Sequence, residues 1–526
     1  MSDSGSRPTR PGSPRPGTRG RVARLPSPVR LSVNVRAAAA LCGTLLKYLS
    51  LSALLPIGIA VGYGEPFWPF LVAGFVAAGT GYGLERLGSS GGSVGFREGY
   101  LVVALTWVLA AAYGALPFLL SGEPQLDRPV DAIFESMSGF STTGASVLAD
   151  VEALDQSLLM WRQFTQWLGG MGIIVLALAV LPRLRVGGRQ LLESEMPGPE
   201  IDQLADRIRS LARRLWLLYV ALTAAQAAIL TVYGVVGLDE RMGWFESVSA
   251  AFATLPTGGF MPEARSFEEF APISQWTTIA FMALAGANFA LTYRALVRRQ
   301  PGPALRDEEL RVYAAVIVGA SLLLTAVLWG EGLAEGEAAV RHGVFQVVAI
   351  VTGTGFASID FALWPALAAM TLVMLMLIGG SAGSTGGSIK VVRHLLLGKS
   401  LRRELRQTVH PEEVMPIRLN GRVVDERTLR AATAFILLYV GLFVVGAAII
   451  GIDAAIQGPE LSVLDAVAAT ATTLGNVGPS FGVSGPMGSY AAYSDVSTTT
   501  MIVLMWLGRL ELIPVIVLFT RHYWRD

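Results

Sequence analysis

The chain has 526 residues, of which 52% are hydrophobic and only 15% are charged. Water-exposed domains carry more charged surface than this, so the composition favours a membrane protein. The 41 basic and 40 acidic residues nearly balance, which provides no overall charge for binding nucleic acid. One cysteine and four histidines are too few for disulfide scaffolds or zinc clusters, so those classes are excluded.

The N-terminal segment 1–36 is rich in Pro, Ser, Gly and Arg, with eight arginines against the single acidic residue Asp3. Its apolar residues are too few to form a core, so it is predicted to be a disordered basic cytoplasmic tail. The apolar stretch that follows is long and others come after it, which indicates a membrane helix rather than a secretory signal.

Ten stretches are apolar and long enough to cross the hydrocarbon core of a bilayer, which needs about 20 residues. They lie near 40–62, 66–85, 100–120, 160–182, 214–237, 273–293, 312–329, 364–380, 432–451 and 498–519. Because backbone amides in lipid must be satisfied internally, each stretch is predicted to be a helix.

Charge placement orients these spans. Arg and Lys collect in 183–214, 294–311 and 390–430 and in the C-terminal tail from Arg521 to Arg525, whereas the intervening loops are acidic. The positive-inside rule assigns the basic segments to the cytoplasm. Both termini are therefore expected to be cytoplasmic.

Four shorter segments between paired spans are rich in Ser, Thr and Gly and are too short to cross the membrane, as expected for re-entrant loops. They are 131–145 (DAIFESMSGFSTTGA), 246–260 (ESVSAAFATLPTGGF), 342–356 (HGVFQVVAIVTGTGF) and 465–479 (DAVAATATTLGNVGP). Each has a glycine thirteen residues after its first, polar residue: Gly144, Gly259, Gly355 and Gly478. The recurring offset indicates an internal repeat.

The predicted fold class is an all-α membrane protein. Four pseudo-repeats of helix, re-entrant pore loop and helix surround one pore, and an N-terminal helix pair lies outside them. The predicted boundaries are 1–36 for the tail, 37–92 for the two-helix region, and 93–186, 187–300, 301–400 and 401–526 for the four pore repeats.

The four loops have the chemistry of a cation site. A short helix that ends just before each glycine would aim its negative dipole end into the membrane. The glycine-rich runs that follow can present carbonyl oxygens in place of a cation's hydration shell. None of these runs carries a charge, which suits a monovalent cation better than a divalent one. The alternative is that the glycines serve tight helix packing.

These loops occur together with three further motifs: WLGGMGIIVLALAVLP at 167–182, GGSAGSTGGSIK at 379–390 and WLGRLELIP at 506–514. With these motifs, the sequence from about residue 37 onward resembles the Trk/Ktr/HKT superfamily of potassium transporters, and the Trk-type membrane subunit in particular. The resemblance implies transported potassium, one pore per subunit, a homodimer, and cytosolic nucleotide-binding regulatory subunits. It also implies that the protein lies in a bacterial inner membrane, where it contacts lipid and does not bind nucleic acid.

The resemblance implies a potassium filter with one key glycine from each loop. Its residues would be Thr142, Thr143, Gly144, Thr257, Gly258, Gly259, Gly353, Thr354, Gly355, Asn476, Val477 and Gly478. Sodium-preferring relatives carry serine at the first glycine, so Gly144 implies a preference for potassium. The fourth loop departs from the pattern, because it reads Asn-Val-Gly-Pro rather than Thr-Thr-Gly.

The stretch 379–388 interrupts an apolar helix with glycines and hydroxyl residues. Irregular backbone at membrane depth is tolerated only inside protein or beside water, so a mobile constriction is predicted. The resemblance implies an intramembrane gating loop with Gly379, Gly380, Ser381, Gly383, Gly386, Gly387 and Arg509 as gating residues. The alternative is a flexible helix end at the inner interface.

Two charged residues have two possible roles each. Arg509 lies near the middle of the last apolar span, where it either faces the cation path or pairs with a residue of another helix. Glu511 is not expected to be its partner, because positions two apart point to different sides of one helix. Lys390 is either an anchor at the lipid headgroups or a gating residue.

The predicted function is potassium uptake through a channel-like pore, without enzymatic activity. One alternative is a sodium-permeable or proton-coupled cation transporter. A different class, an intramembrane serine hydrolase, would use Ser381 in the G-x-S-x-G pattern 379–383. It would need a histidine at membrane depth, whereas the four histidines fall in or near loops: His342, His394, His410 and His522.

Overall fold

A computed structural model describes residues 33–88, 95–179, 201–457 and 461–524. Apart from one antiparallel hairpin, Arg418–Leu419 with Arg422–Val423, all regular structure in these residues is helical. The predicted tail lies outside the described residues as far as position 32, and the first helix begins at Val35, inside the predicted tail.

The N-terminal pair consists of α1 (Val35–Leu49), a 3₁₀ turn and α2 (Leu54–Tyr63), followed by α3 (Trp68–Leu87). The backbones of α1 and α3 touch where Gly43 faces Gly81, and a Cβ on either glycine would collide with the carbonyl of the other. Small residues permit such close approach of membrane helices. An ion pair of 2.6 Å between Lys47 and Glu85 joins the same two helices.

The rest of the described chain repeats a long helix, a short helix and a second helix four times. The first two repeats contain α4 (Phe96–Leu120), α5 (Pro129–Phe140), α6 (Gln156–Ala179), α7 (Ile201–Val236), α8 (Trp244–Thr254), α9 (Pro272–Ala285) and α10 (Phe289–Leu296). After α11 (Gly302–Arg306), the last two contain α12 (Glu308–Gly330), α13 (Gly336–Thr352), α14 (Ala366–Ile378), α15 (Val391–Val409), α16 (Glu426–Gln457), α17 (Val463–Gly475), α18 (Asp495–Arg509), α19 (Ile513–Ile516) and α20 (Arg521–Trp524). In each repeat the short helix packs against both of its neighbours, which confirms the predicted fold class.

Local sequence explains where the short helices begin. Helix α5 has Pro129 in its first turn, a position where the missing N–H costs nothing. Helix α17 begins with a capping box, in which Ser462 and Asp465 satisfy each other's backbone N–H groups. Both helices are buried over most of their length, so the core of the molecule surrounds the short helices.

Five described helices are long and apolar enough to cross a membrane, or up to seven when each of two bent pairs counts as one span. Large apolar side chains lie exposed on all five of these helices, for example Leu322 of α12 and Leu437 of α16. Apolar side chains on the outside are the expected arrangement when the surrounding solvent is lipid.

The two bent pairs correct the sequence prediction of straight spans near 273–293 and 498–519. Helices α9 and α10 meet at 114°, and α18 meets the segment after residue 512 at 112°. At the first bend, the side chain of Asn288 caps a new helix by accepting from Ala290 N and Leu291 N. At the second bend, Glu511 and Leu512 have positive φ, which a continuous helix does not allow.

Candidate functional site

Each short helix is followed by the same backbone turn. In each turn, the first residue with positive φ lies within three residues of the helix end: Thr142 (54°), Thr257 (58°), Gly353 (78°) and Asn476 (54°). The amide of the next residue then donates to a helix carbonyl five positions earlier, at 2.8 or 2.9 Å in all four loops. The fourth loop therefore adopts the same backbone as the others despite its different sequence, because asparagine tolerates this conformation.

Two of the four turns are strained. Threonine is branched at Cβ and rarely has positive φ, yet Thr142 and Thr257 both do, and both are buried. Such conformations persist only where the surrounding structure enforces them, and they cluster at functional sites. The strain thus marks these loops as more than connections between helices.

The four loops meet in a closed ring. The key glycine of each loop has positive φ, and a Cβ added to it would lie 2.5 Å or less from a carbonyl oxygen of the next loop. The glycines are Gly144, Gly259, Gly355 and Gly478, and the oxygens that they face are those of Gly258, Thr354, Val477 and Thr143, in that order. The fourth loop faces the first again. We call these four glycines and four carbonyls the loop ring.

The loop ring explains why these positions are glycine. Each glycine faces the backbone of another loop rather than a neighbouring helix, so the alternative of helix packing does not fit. A side chain on any of the four would require both an unfavourable φ and a displaced carbonyl.

Polar side chains support the ring from behind. Gln166 Nε2 donates to Gly258 O at 2.7 Å, Gln346 Nε2 donates to Phe356 O at 3.0 Å, and Tyr490 Oη donates to Gly478 O at 2.8 Å. The buried ion pair of Arg162 and Glu135, at 2.7 Å, supports the first loop. These residues were not predicted from the sequence. Polar side chains within apolar spans, such as Gln166 in the helix of the 167–182 motif, were the available signal.

The glycine-rich segment 379–390 is held within the protein. Its neck is closed by a hydrogen bond of 3.0 Å from Val391 N to Gly380 O. Ala382 is held on both sides, because its N–H donates to Glu309 Oε1 at 2.5 Å and its carbonyl accepts from Asn288 Nδ2 at 2.8 Å. The segment is buried over most of its length, so the alternative of a flexible helix end does not fit.

The tip of this segment lies against the ends of three short helices. Thr385 Oγ1 donates to Leu255 O, just after α8, at 3.0 Å. A Cβ on Gly386 would lie 2.5 Å from the carbonyl of Thr352, the last residue of α13, and one on Gly387 would lie 2.6 Å from the carbonyl of Gly475, the last residue of α17. Of the other predicted gating glycines, Gly379 and Gly383 have positive φ and shape the two bends of the segment.

Arg509 completes this arrangement. It is the last residue of α18, is 2% exposed, and donates to Thr385 O at 2.7 Å and to Gly169 O at 3.4 Å. Gly169 in turn lies against the carbonyl of Phe140, where α5 ends. The tip thus contacts the ends of three short helices, and Arg509 is connected to the end of the fourth through Gly169. We call the tip and Arg509 the inner constriction.

The described part of the chain offers Arg509 no carboxylate partner, so the alternative of a buried ion pair is not observed there. Its guanidinium donates instead to two backbone carbonyls, those of Thr385 and Gly169.

A second charged group lies behind the constriction. Glu511 accepts from Lys390 Nζ at 2.9 Å and from Arg393 Nη2 at 2.6 Å, and Arg393 also lies 3.9 Å from the ring centroid of Phe435. Lys390 is only 6% exposed, so the alternative of a headgroup anchor is wrong. We call these three charged residues the Glu511 cluster. It joins the end of the glycine-rich segment to the second bend.

Ser381 does not have the surroundings of a nucleophile. Its Oγ is buried and has no hydrogen-bond partner among the described residues. The nearest histidine in sequence, His394, contacts Leu377 O at 3.3 Å, and His342 contacts Ser358 Oγ at 2.9 Å. A serine hydrolase needs a base within hydrogen-bond reach of the serine, so the structure does not support this alternative.

Comparison with known proteins gives concordant results. The TrkH family, described as cation transport protein, matches residues 74–328 and 331–525. The Trk system potassium uptake protein TrkH of Salmonella typhimurium is 39% identical over 438 residues, which are 83% of this chain and 87% of that protein. The Trk system potassium uptake protein TrkG of Escherichia coli is 32% identical over 500 residues, 94% of this chain and 99% of that one.

A solved structure shares the fold. The crystal structure of the potassium transporter TrkH from Vibrio parahaemolyticus matches with a TM-score of 0.83 at 32% sequence identity. The match covers 93% of this chain and 100% of that chain.

Proposed function

The chain belongs to the TrkH family of cation transport proteins, and from this premise we propose that it takes up potassium across the cell membrane through a channel-like pore. Its relatives are named potassium uptake proteins, and their similarity extends over most of both chains. The protein acts as a transporter, not as an enzyme, and potassium is its transported ion rather than a cofactor.

The loop ring is the observation that carries the proposal. Four uncharged loops bring four backbone carbonyls into one closed ring at the C-terminal ends of four short helices. Carbonyl oxygens replace the water shell of a monovalent cation, and the helix dipoles add negative potential at the same place. The residues of this filter are 142–144, 257–259, 353–355 and 476–478.

Potassium selectivity follows from the backbone of the ring. Each key glycine lacks the Cβ that would collide with a carbonyl of the adjacent loop, so the four loops can pack this closely. A closely packed ring of carbonyls replaces the hydration shell of the larger potassium ion better than that of sodium. The alternative is a sodium-permeable or proton-coupled transporter, which ion flux measurements distinguish from a potassium-selective pore.

The inner constriction is the gate of this pore. Its tip lies directly against the helix ends that bear the filter, and Arg509 places a positive charge where a cation leaves the ring. The positive charge repels a passing cation until the glycine-rich segment moves. Because Arg509 holds the tip through Thr385 O, movement of either one displaces the other.

The Glu511 cluster holds the gate closed. Lys390 ends the glycine-rich segment and Glu511 lies at the second bend, so their ion pair fixes the gate to the last helix. Both residues have positive φ, 75° for Lys390 and 59° for Glu511. The strain of these two turns is released when the segment moves away. Lys390 therefore has a gating role.

The assembly is a homodimer in the bacterial inner membrane, with both termini in the cytoplasm and with cytosolic nucleotide-binding regulatory subunits. The names of the relatives, which assign them to a Trk system, support partner proteins. Exposed apolar side chains on α15, such as Leu401 and Leu405, offer a surface for such partners. Light scattering of the detergent-solubilised protein should give twice the chain mass of 55.9 kDa.

The decisive experiment measures ion flux into liposomes that contain the purified protein. We expect potassium and rubidium to enter much faster than sodium, without a pH gradient. Equal sodium flux would favour the sodium-permeable alternative, and flux that requires a proton gradient would favour the coupled one. Absence of cation flux would refute the proposal.

A further inference from the structure

Gln166 forms hydrogen bonds with the backbone on both sides of one glycine of the loop ring, Gly259. It lies on α6, in the first repeat, and is fully buried. Its Nε2 donates to Gly258 O at 2.7 Å, and its Oε1 accepts from Phe260 N at 3.1 Å. A carbonyl can only accept and an N–H can only donate, so the orientation of this amide is fixed. One side chain therefore holds the backbone on both sides of Gly259.

Gly258 is glycine for a different reason from Gly259. Its φ is not positive, so no backbone conformation requires glycine there. A Cβ on Gly258 would instead lie 2.5 Å from Cδ and Oε1 of Gln166. The missing side chain is what makes room for the glutamine.

The other three loops have a side chain at this position. They carry Thr143, Thr354 and Val477, whose carbonyls occupy the ring in the same way as that of Gly258. The hydroxyl of Thr143 contacts Ser141 of its own loop at 2.6 Å and accepts from Asn476 Nδ2 of the fourth loop at 3.0 Å, and the hydroxyl of Thr354 contacts Thr352 at 2.7 Å. Among the described residues, only the second loop has its ring carbonyl bound by a side chain of another repeat that also occupies this space.

We propose that Gln166 is a positioning residue that sets the direction of the Gly258 carbonyl and thereby the selectivity of the filter for potassium over sodium. The inference rests on the proposed function. A carbonyl oxygen has two lone pairs, so Gly258 O can accept from Gln166 and still face a cation. The donor fixes this carbonyl and prevents it from turning toward the smaller sodium ion.

The test compares flux ratios in liposomes per folded protein. Gln166→Leu removes both hydrogen bonds, and Gln166→Glu keeps the size and the acceptor but loses the donor when ionised. Both should lower the ratio of potassium to sodium flux by about tenfold, equivalent to about 1.4 kcal/mol. Gln226→Leu is the matched control, because Gln226 is also fully buried but bonds to Thr254 Oγ1 rather than to the ring.

A double variant separates the loss of space from the loss of position. Gly258→Ala should clash with Gln166 and lower the yield of folded protein. Adding Gln166→Ala should restore the yield, because it empties the space, but should not restore selectivity, because no donor holds the carbonyl. Recovery of full selectivity in the double variant would overturn the role of Gln166.

Gly259→Ala distinguishes failure of this inference from failure of the filter itself. If Gly259→Ala loses selectivity while Gln166→Leu and Gln166→Glu keep the wild-type ratio, the role of Gln166 is refuted and the filter stands. If all three keep the wild-type ratio, the assignment of the filter to the loop ring fails together with this inference, whereas absence of potassium flux in the wild type would refute the proposed function. If the Gln166 variants fold poorly, potassium-dependent thermal stabilisation of the remaining folded protein should still require higher potassium concentrations than in the wild type. An unchanged potassium requirement would refute the inference.

Discussion

The loop ring and the inner constriction both adjoin the ends of the four short helices, but they are built in opposite ways. The ring consists of backbone, is uncharged and repeats four times with one glycine per repeat. The constriction occurs once and depends on side chains, with the charge of Arg509 in front and the Glu511 cluster behind.

This difference indicates why ion selectivity suits a repeated backbone and gating suits a single set of side chains. Distances between carbonyls have to be the same around an ion, and a repeated backbone provides that equality. A gate has to be displaced, and a single set of ion pairs and hydrogen bonds can be broken without altering the ring. Substitutions in the constriction should therefore change flux and stability, whereas substitutions in the ring should change selectivity.

Glu511→Gln should have the largest effect. It leaves Lys390 and Arg393 as two neighbouring buried cations without a carboxylate, which should cost about 3 to 5 kcal/mol of stability. Thermal unfolding in detergent measures the loss, and flux per folded protein should rise because the gate is released. Glu269→Gln is the matched control, because its partner Arg241 is exposed and such pairs contribute about 1 kcal/mol or less. Equal melting temperatures of the two variants would contradict a stabilising role of the buried Glu511 cluster.

Arg509→Ala tests the charge in front of the gate. At about 8 Å and an effective dielectric constant of about 20, its repulsion of a cation amounts to about 2 kcal/mol, so flux should rise more than tenfold. Arg509→Lys retains the charge and should keep flux low, although it loses the planar fork that reaches both Thr385 O and Gly169 O. Flux at the wild-type level per folded Arg509→Ala protein would remove Arg509 from the cation path.

Gly144→Ser tests the ring. Its Cβ would displace the carbonyl of Gly258, so the preference for potassium over sodium should fall by about tenfold, or about 1.4 kcal/mol. Gly319→Ser is the control, since Gly319 of α12 has open space around it. Relative flux of the two ions in liposomes is the measurement. A change in gating without any change in selectivity would reverse the distinction between ring and constriction.

Glu263 lies outside both regions, in the loop between α8 and α9, and should have the smallest effect. Burial, with a contribution from Glu246 and Glu152, raises the pKa of its carboxyl to about 8. The folded protein therefore holds a proton that the unfolded chain releases near pH 4.5, so this group's contribution to stability should fall as pH rises from about 5 to 8. Glu263→Gln should flatten that part of the pH profile of thermal unfolding and leave selectivity unchanged. An identical profile in both proteins would contradict the raised pKa.

The sequence alone located the four key glycines, because their demands are local. A turn with positive φ after a short helix needs glycine or a few other residues, and this need recurs at the same offset in every repeat. The fourth loop, with Asn476 in place of threonine, has the same backbone turn as the others at the predicted offset. The glycine-rich segment was also recognisable, since its composition cannot continue an apolar helix.

The tertiary structure decided which residues these elements contact. Thr385 and Arg509 are 124 residues apart in the chain, and Lys390 and Glu511 are 121 apart, so no local pattern pairs them. The sequence predicted a continuous last span with Arg509 near its middle, but the helix ends at Arg509. The bend that follows brings Glu511 into contact with Lys390. Sequence determined the apolar spans and the glycine turns because bilayer thickness and backbone sterics act within a few residues. Only folding could determine the partners of the buried charges and of Gln166, because those depend on which repeats lie side by side.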